Sequence, residues 1–356
     1  QSVNVVTDMD ILNLGYREIG DIIRYTPGVN TSQGEGHRDA VVFRGVRSTA
    51  DFYQDGARDD VQYYRSLYNV DQVEILRGPN ALLFGRGGTG GIINRVTKKA
   101  QVGEQFGSFD IGADDFGAFD VAFDYNTATG DNSAFRLNVH SDSLENHRDM
   151  YDGDRVGFNP TVRVQMSDAT TLDLSYEYAD HERFIDRGIP TANGKPVEAL
   201  KDVVFGTSDI NLTTLEADIF RGTLTTELSD TSKAIFSLTS SEFEKLYQNL
   251  YASGYDLATN VVTLDGYRDP TERENLIFSA NLVNELQIGG ATHTLLLGAE
   301  VVDTDNKNVR YDTYWSTTQK DKESFNVSRP LNIATNSAGV ATSVDFTTKL
   351  KSSTTS

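Results

Sequence analysis

Strict alternation of apolar and polar residues dominates the chain beyond Gly103. Phe119, Val121 and Phe123 alternate with Asp120 and Asp124. The same alternation recurs over residues 135–140, 171–178 and 295–301. Because successive side chains of a strand point to opposite faces, this pattern predicts antiparallel strands with one apolar and one polar face. A β-sandwich and a membrane barrel both show it.

The connections between these strands favour the barrel. Short turns fall near residues 129–132, 167–170, 229–231 and 288–291, and longer links span about 144–154, 181–217, 248–273 and 303–343. Outer-membrane barrels have short inner turns and longer outer loops, whereas long structureless links are unusual inside one compact domain. The pattern predicts nine or ten barrel strands.

The first hundred residues have a different pattern of hydrophobic and polar positions. The Thr7 region and the run Tyr16–Tyr25 predict two short helices, the first with a capping start, that stop at Pro27-Gly28. Short β-type runs follow, separated by glycine-rich turns: Ala40–Phe43, Val73–Leu76 and Ile92–Thr97. We therefore predict an α+β domain over residues 1–100 and an antiparallel transmembrane β-barrel portion over residues 101–356.

Composition and charge narrow the classes of function. The chain is 38% hydrophobic and 24% charged, which is typical of a folded protein. No apolar run approaches the roughly 20 residues of a membrane helix. Residues 1–100 hold 12 basic and 12 acidic side chains, and residues 101–356 hold 20 and 40. An acidic surface repels nucleic acid, so no nucleic-acid partner is expected.

No catalytic, metal or cofactor site is expected. Gly85–Gly90 fits a dinucleotide fingerprint, but the β-branched residues that follow it predict a strand where the fingerprint requires a helix. The five histidines lack zinc spacing, and the aspartates at 149, 152 and 154 lack the glycine and glutamate of a calcium loop. There is no nucleophile elbow, so an enzyme is not predicted.

Five segments of the first hundred residues follow one another in a fixed order: Asp21–Val29, Val42–Val46, Phe52–Gly56, Val73–Pro79 and Leu83–Asn94. In this order they resemble the plug domain of TonB-dependent receptors. The resemblance continues through Ala134–Asn138, Gly157–Pro160, Leu174–Tyr178, Asp186–Pro190 and His293–Glu300, which are similar to the siderophore branch of the family. Arg65–Asn69 is similar to receptors of the catecholate type.

The resemblance implies a barrel of about 22 strands whose lumen is filled by the plug. With nine or ten strands, the chain is expected to be a fragment: a plug plus an incomplete barrel. It also implies the Gram-negative outer membrane, with its lipid and lipopolysaccharide, as the location. The implied partners are a ferric siderophore, which carries its own iron, and the TonB–ExbB–ExbD complex, which draws on the proton motive force.

Two sets of residues are candidates for the site. The turns around Gly34, His37 and Arg38, and around Arg58, are expected to point outward to an anionic ligand. Tyr63 and Tyr64 are expected to add aromatic contacts. The predicted ion pairs between plug and barrel involve Arg44, Arg77, Glu177 and Glu300.

Three alternatives stay open from the sequence. One is a TonB-dependent importer of haem, cobalamin or an oligosaccharide. Another is a siderophore-sensing signal transducer with a further N-terminal domain. The third is a secreted β-sandwich adhesin or lectin. Its weakness is that such proteins lack the five plug segments that this chain contains.

Overall fold

The computed structural model of the chain describes residues 2–32, 34–48, 51–78 and 90–355. The glycine-rich segment at residues 85–89, including Arg86, lies outside the described residues, so the structure does not bear on the fingerprint hypothesis. None of the helices in the described ranges is long and apolar enough to cross a membrane.

Both helices lie in the first hundred residues: α1 (Asp8–Leu14) and α2 (Ile19–Arg24). Eight short strands accompany them: β1 (Ser2–Thr7), β2 (Val29–Thr31), β3 (Val41–Phe43), β4 (Val46–Ser48), β5 (Phe52–Gln54), β6 (Ala57–Arg58), β7 (Val70–Arg77) and β8 (Gly91–Thr97). One sheet has the order β1-β7-β8-β5-β6, and a second has the order β2-β3-β4. This is the α+β plug expected from the sequence.

Local hydrogen bonds set the bounds of α1. The Thr7 hydroxyl accepts from the Asp10 amide at 3.2 Å, and the Asp10 carboxylate accepts from the Thr7 amide at 3.0 Å. This capping box satisfies two amides that a helix start otherwise leaves unpaired. At the other end Gly15 has φ 65°, the left-handed conformation that ends many helices.

The plug has its own apolar core. Ile19, Ile22 and Ile23 of α2 are buried in one cluster with Val73 and Ile75 of β7. Burial of these side chains holds the helix on the five-stranded sheet, at roughly 1.5–3 kcal/mol for each.

The rest of the chain forms one large antiparallel sheet. Its strands are β9 (Phe106–Ala113), β10 (Phe119–Gly130), β11 (Ser133–Glu145), β12 (Asp152–Ser167), β13 (Thr170–Phe184), β16 (Leu212–Ser229), β17 (Ser232–Asp256), β18 (Val261–Ile288), β19 (Ala291–Trp315) and β21 (Val344–Thr355). β20 (Glu323–Asn326) pairs with β18 beside this path, and β14 (Thr191–Ala192) and β15 (Lys195–Pro196) form a small hairpin in an outer loop. Ten strands in sequential order confirm the predicted incomplete barrel.

The two faces of the sheet have opposite chemistry, as the alternation predicts. On β11, Arg136, Asn138 and His140 are buried on the face toward the plug. On the other face, Phe158 and Phe278 belong to an exposed apolar band. Because no described part of the chain packs against that band, the structure does not have the two facing sheets of a β-sandwich.

Carboxylates follow the apolar band on the outward face, toward the outer loops. Asp218, Glu242, Glu274 and Asp305 are direct neighbours across four adjacent strands. We call this set the acidic row. A second line lies two residues farther out: Asp180, Glu216, Glu244 and Glu272. Much of the negative charge of the barrel portion therefore faces outward.

Two predicted links are shorter than expected, and in one of them β19 continues through residues 303–315 of the predicted link at 303–343. The short turns occur where they were predicted, but β17 and β18 continue through most of residues 248–273 and are joined by residues 257–260 alone. This hairpin extends because it is covered by an outer apolar cluster. The cluster includes Phe205, Leu250, Leu264, Trp315 and Phe325.

The plug and the sheet are joined by a short segment with defined hydrogen bonds. β8 ends at Thr97 and β9 begins at Phe106. Asn126 on β10 accepts from the Gln101 amide at 2.9 Å and donates to the Gln101 and Glu104 carbonyls at 3.0 and 2.8 Å. The joining segment is therefore fixed to the inner face of the sheet.

The plug leaves no room for a side chain at Gly91. A Cβ there would lie 2.5 Å from the Leu76 carbonyl oxygen and 2.8 Å from the Phe43 ring. We predict that Gly91→Ala lowers the free energy of unfolding of the plug by about 1–3 kcal/mol. Calorimetric melting of the parent receptor in detergent measures this as a lower midpoint of the plug transition.

Gly20→Ala is the matched control, because a Cβ at this α2 position meets no atom within 4 Å. It is expected to leave the midpoint unchanged or to raise it slightly, since alanine favours a helix. Equal midpoints for the two variants would contradict the packing described for Gly91.

Candidate functional site

The outer end of the plug is a tight turn over Gly34–Gly36 that carries Glu35. Glu35 has φ 70°, so its backbone is left-handed and its side chain leaves the plug toward the barrel wall. The Glu35 carboxylate accepts from the Tyr267 hydroxyl at 2.9 Å. It also lies 3.5 Å from the Arg187 guanidinium and 3.7 Å from that of Arg38.

Two arginines lie over tyrosine rings beside this turn. The Arg187 guanidinium carbon is 3.8 Å from the centre of the Tyr251 ring, and that of Arg310 is 3.7 Å from the centre of the Tyr267 ring. Such contacts hold a planar cation in place while leaving its edge free to donate. Arg310 also pairs with Asp269 at 2.5 Å.

These side chains form one group at the outer end of the lumen, which we call the apex cluster. It consists of Glu35, Arg38, Arg187, Tyr251, Tyr267 and Arg310. Glu35 and Arg310 are the most exposed of the salt-bridged members, with 42% and 38% of the side chain accessible. Arg310 is paired with Asp269, so the cationic side chains that share only the Glu35 carboxylate are Arg38 and Arg187. These two guanidiniums suit an anionic ligand, and the tyrosine rings suit one with planar groups.

His37 supports the cluster from below. Its ring stacks on Tyr247 with centres 4.1 Å apart, and its Nε2 atom accepts from the Asn249 amide at 3.1 Å. Burial, and then the nearby charges of Arg187, Arg38 and Lys245, lower the pKa of His37 to about 2. His37 is therefore neutral at physiological pH.

The structure divides the predicted ligand residues into two groups. Gly34, His37 and Arg38 belong to the outer turn or lie directly beside it. Arg58 lies lower, between the plug and the wall strands, in a narrow space that it shares with Ile219 and Asn275.

The two predicted tyrosines also face the wall. Tyr63 is buried and donates to Asp59 at 3.1 Å. The Arg183 guanidinium carbon lies 4.1 Å from the centre of the Tyr64 ring.

Of the residues predicted to form ion pairs between plug and barrel, Glu177 lies at that boundary. Its carboxylate accepts from Gln54 of the plug at 2.8 Å and from Arg221 of the neighbouring strand at 3.1 Å. It contacts the plug through a neutral amide, and its salt bridge with Arg221 lies within the wall.

The other three lie elsewhere. Arg77 donates to the Pro27 carbonyl and to Asn4, both within the plug. Arg44 is exposed in a turn and forms no salt bridge with a described residue. Glu300 is exposed on β19, where the plug does not cover the sheet.

Other charged residues join the plug to the wall. Glu18 accepts from Arg183 at 2.5 Å and from Arg155 at 2.6 Å. Further pairs are Lys98–Asp124 at 3.0 Å, Asp60–Arg273 at 2.6 Å, and Arg17–Asp120. Among the described residues, no group of three or more histidines and carboxylates is placed to hold a metal ion.

Sequence reasoning missed most of the apex cluster. Arg187 lies in the Asp186–Pro190 segment that carries part of the family resemblance, so its position was a usable signal. Tyr251, Tyr267 and Arg310 fall in stretches predicted to be loops, where nothing in the spacing indicated that they meet.

Comparison with known proteins identifies the plug. Residues 1–92 match the family model of the TonB-dependent receptor plug domain. The chain is 31% identical over 195 residues to a probable TonB-dependent receptor, BfrD, of Bordetella pertussis, covering 53% of this chain and 26% of the relative. It is 26% identical over 317 residues to a probable TonB-dependent siderophore receptor, PiuA, of Acinetobacter baumannii, covering 84% and 42%. The chain thus spans less than half of either relative.

Solved structures show the same fold. The crystal structure of the siderophore receptor PiuA from A. baumannii superposes with a TM-score of 0.83 at 21% identity, covering 99% of this chain and 53% of that one. The ferric-catecholate import receptor Fiu from E. coli K12 gives 0.78 at 19% identity, covering 100% and 65%.

The ion pairs of Glu18 with Arg183 and Arg155 predict that the stability of the plug falls in acid. Burial alone raises the pKa of this carboxyl, but Arg183 and Arg155 outweigh it and lower the pKa from 4.5 to about 2. The stabilisation is therefore complete above pH 4.5 and is lost as pH falls from 4.5 toward 2. We predict that Glu18→Gln costs about 3 kcal/mol at pH 7 and flattens the pH dependence of plug unfolding in this window.

Calorimetry of the parent receptor at pH 7, 4 and 3 measures both effects. Glu104→Gln is the control, because the Glu104 side chain is exposed and forms no salt bridge with a described residue. An unchanged pH profile in Glu18→Gln would contradict the role given to this carboxylate.

Proposed function

Because this chain belongs to the TonB-dependent receptors of the outer membrane, we propose that the protein containing it binds a ferric siderophore at the apex cluster and imports it. The apex cluster is the observation that carries this proposal. It places cationic and aromatic side chains together on the outer end of the plug, where a solute from outside arrives first.

The chemistry of the cluster fits this ligand class. Ferric siderophores of the catecholate type are anionic and have planar aromatic iron-binding groups. A guanidinium has five N–H groups, so Arg187 and Arg310 can donate to such an anion in addition to their bonds with protein groups, while Tyr251 and Tyr267 hold the guanidiniums in fixed planes. Relatives named for siderophores and for ferric catecholate support the same class.

In this proposal the plug residues have distinct roles. Arg38 contacts the ligand, and Gly34 and His37 shape and support the turn that presents it. Arg58, Tyr63 and Tyr64 lie along the boundary of plug and wall, where a ligand would meet them only after the plug moves. The iron is cargo, so the chain needs no cofactor, and the proposed activity is transport and not catalysis.

Import also requires that the plug shift inside the barrel. We assign the energy for this to the TonB–ExbB–ExbD complex, in line with the family. The contacts that must break include polar ones, such as those of Glu18 and Lys98, which water can replace, and an apolar one between Val61 and Tyr63 of the plug and Phe243 of the wall. The exposed apolar band of the sheet faces lipid, and the acidic row lies above it at the level of lipopolysaccharide headgroups.

We predict that Arg187→Ala and Arg38→Ala each weaken binding of a ferric tris-catecholate to the parent receptor by about 10- to 100-fold, since each removes a charged donor worth roughly 1.5–3 kcal/mol. Isothermal titration calorimetry on the purified receptor measures the affinity. Growth on the same chelate as sole iron source measures import.

Arg163→Ala is the matched control. Arg163 is also salt-bridged on the inner face of the wall, to Asp173 at 2.7 Å, but it lies nearer the short-turn ends of the strands. The affinity of the Arg163→Ala receptor for the ferric tris-catecholate should equal that of the unsubstituted receptor. Full affinity in both cluster variants would remove the proposed site, and growth on haem or cobalamin instead of iron chelates would reassign the solute.

A further inference from the structure

A small cavity lies below the apex cluster, between the plug and the barrel wall. Its volume is about 20 Å³, enough for a single small ion or water. The residues that line it include His37, Tyr64, His181, Arg183, Lys245 and Tyr247. His37 lines the cavity and also supports the outer turn, but ion binding in the cavity is not part of the function proposed above.

The hydrogen bonds above the cavity fix the proton on His37. Arg187 donates to the Asn249 oxygen at 3.2 Å, so the nitrogen of that amide faces His37. Asn249 then donates to Nε2 of His37 at 3.1 Å, and Nε2 must be the unprotonated nitrogen. The proton of this neutral ring is therefore on Nδ1.

This Nδ1–H group is a buried donor. His37 is 1% exposed, and its Nδ1 atom has no acceptor among the described residues. Buried N–H groups are nearly always hydrogen-bonded, so an acceptor is expected here. His181, which is 9% exposed, likewise has no described partner for its Nε2 atom.

The charge around the cavity is positive. Lys245 Nζ lies 4.2 Å from the centre of the Tyr247 ring, and no salt bridge joins it to a described carboxylate. Arg155 and Arg183 share the single carboxylate of Glu18, and Arg155 also pairs with Asp142. The carboxylates near the cavity are thus already paired, whereas Lys245 is not.

We propose that this cavity binds a small inorganic anion of the size of chloride, held by Nδ1–H of His37 and Nζ of Lys245. A water molecule can accept from Nδ1–H of His37 and donate to Nε2 of His181, but it leaves the positive charge of Lys245 without a counterion. An anion accepts from both His37 and Lys245 and offsets the positive charge of Lys245.

The site links the plug to the wall. His37 belongs to the plug and Lys245 to β17, so an anion between them adds a contact that spans the boundary. Through Asn249 and Arg187, the same chain of hydrogen bonds reaches the apex cluster.

Bromide is a direct probe, because its anomalous scattering identifies it in a crystal. Crystals of the parent receptor soaked in sodium bromide should show an anomalous peak within hydrogen-bonding distance of His37 Nδ1 and Lys245 Nζ. The peak should be absent from Lys245→Met and from His37→Phe, which keeps the ring on Tyr247 but removes the N–H. Lys307→Met, which alters an exposed lysine paired with Glu272, should retain it.

Thermal melting tests the site in solution. At equal ionic strength, sodium bromide should raise the plug midpoint by roughly 2–4 °C over sodium gluconate, and Lys245→Met should abolish the difference while still melting cooperatively in gluconate. A cavity without an anomalous peak overturns the proposal. So does a peak, or a bromide-dependent midpoint, that persists in Lys245→Met.

Discussion

The structure depends on the pairing of a polar plug with the polar inner face of the sheet. A barrel wall that is apolar toward lipid must be polar within, and those inner side chains need partners. Glu18 with Arg155 and Arg183, and Lys98 with Asp124, supply them across the boundary. The plug keeps its own apolar core around Ile19 and Ile75. The boundary itself is mainly polar, with one apolar contact where Val61 and Tyr63 of the plug meet Phe243 of the wall.

The apex cluster follows from the same arrangement. The turn that carries Glu35 reaches strands β17 to β19 because the plug is held at one height in the lumen. Arg187 comes from the loop after β13 and Arg310 from β19, yet both lie over tyrosine rings beside that turn. The stacked arginines need little rearrangement to receive a ligand, which reduces the entropy lost on binding. The hydrogen bond between His37 and Asn249 connects the apex cluster to the buried boundary between plug and wall.

Sequence reasoning predicted the features that depend on local pattern. The capped helix at Thr7, the strand alternation and the short turns all have signals within a few residues. The pairing of Glu18 with Arg155 joins positions 137 residues apart and depends on plug height and barrel register, which no local pattern encodes. Arg77 also shows that local pattern does not identify a distant partner. Its sequence neighbours indicated an ion pair with the barrel, but its guanidinium donates to the Pro27 carbonyl and to Asn4 within the plug. The β17–β18 hairpin extends because Trp315 and other distant residues cover it.

The acidic row of Asp218, Glu242, Glu274 and Asp305 makes the outward face of the sheet sensitive to ionic strength. Each carboxylate in the row lies directly opposite another on the neighbouring strand, and like charges in that position destabilise a sheet. Because the row faces the surroundings of the barrel, dissolved ions screen this repulsion, over a Debye length of about 10 Å at 0.1 M ionic strength. The pairing of β16 to β19 at this height therefore tightens in saline surroundings and loosens in dilute ones.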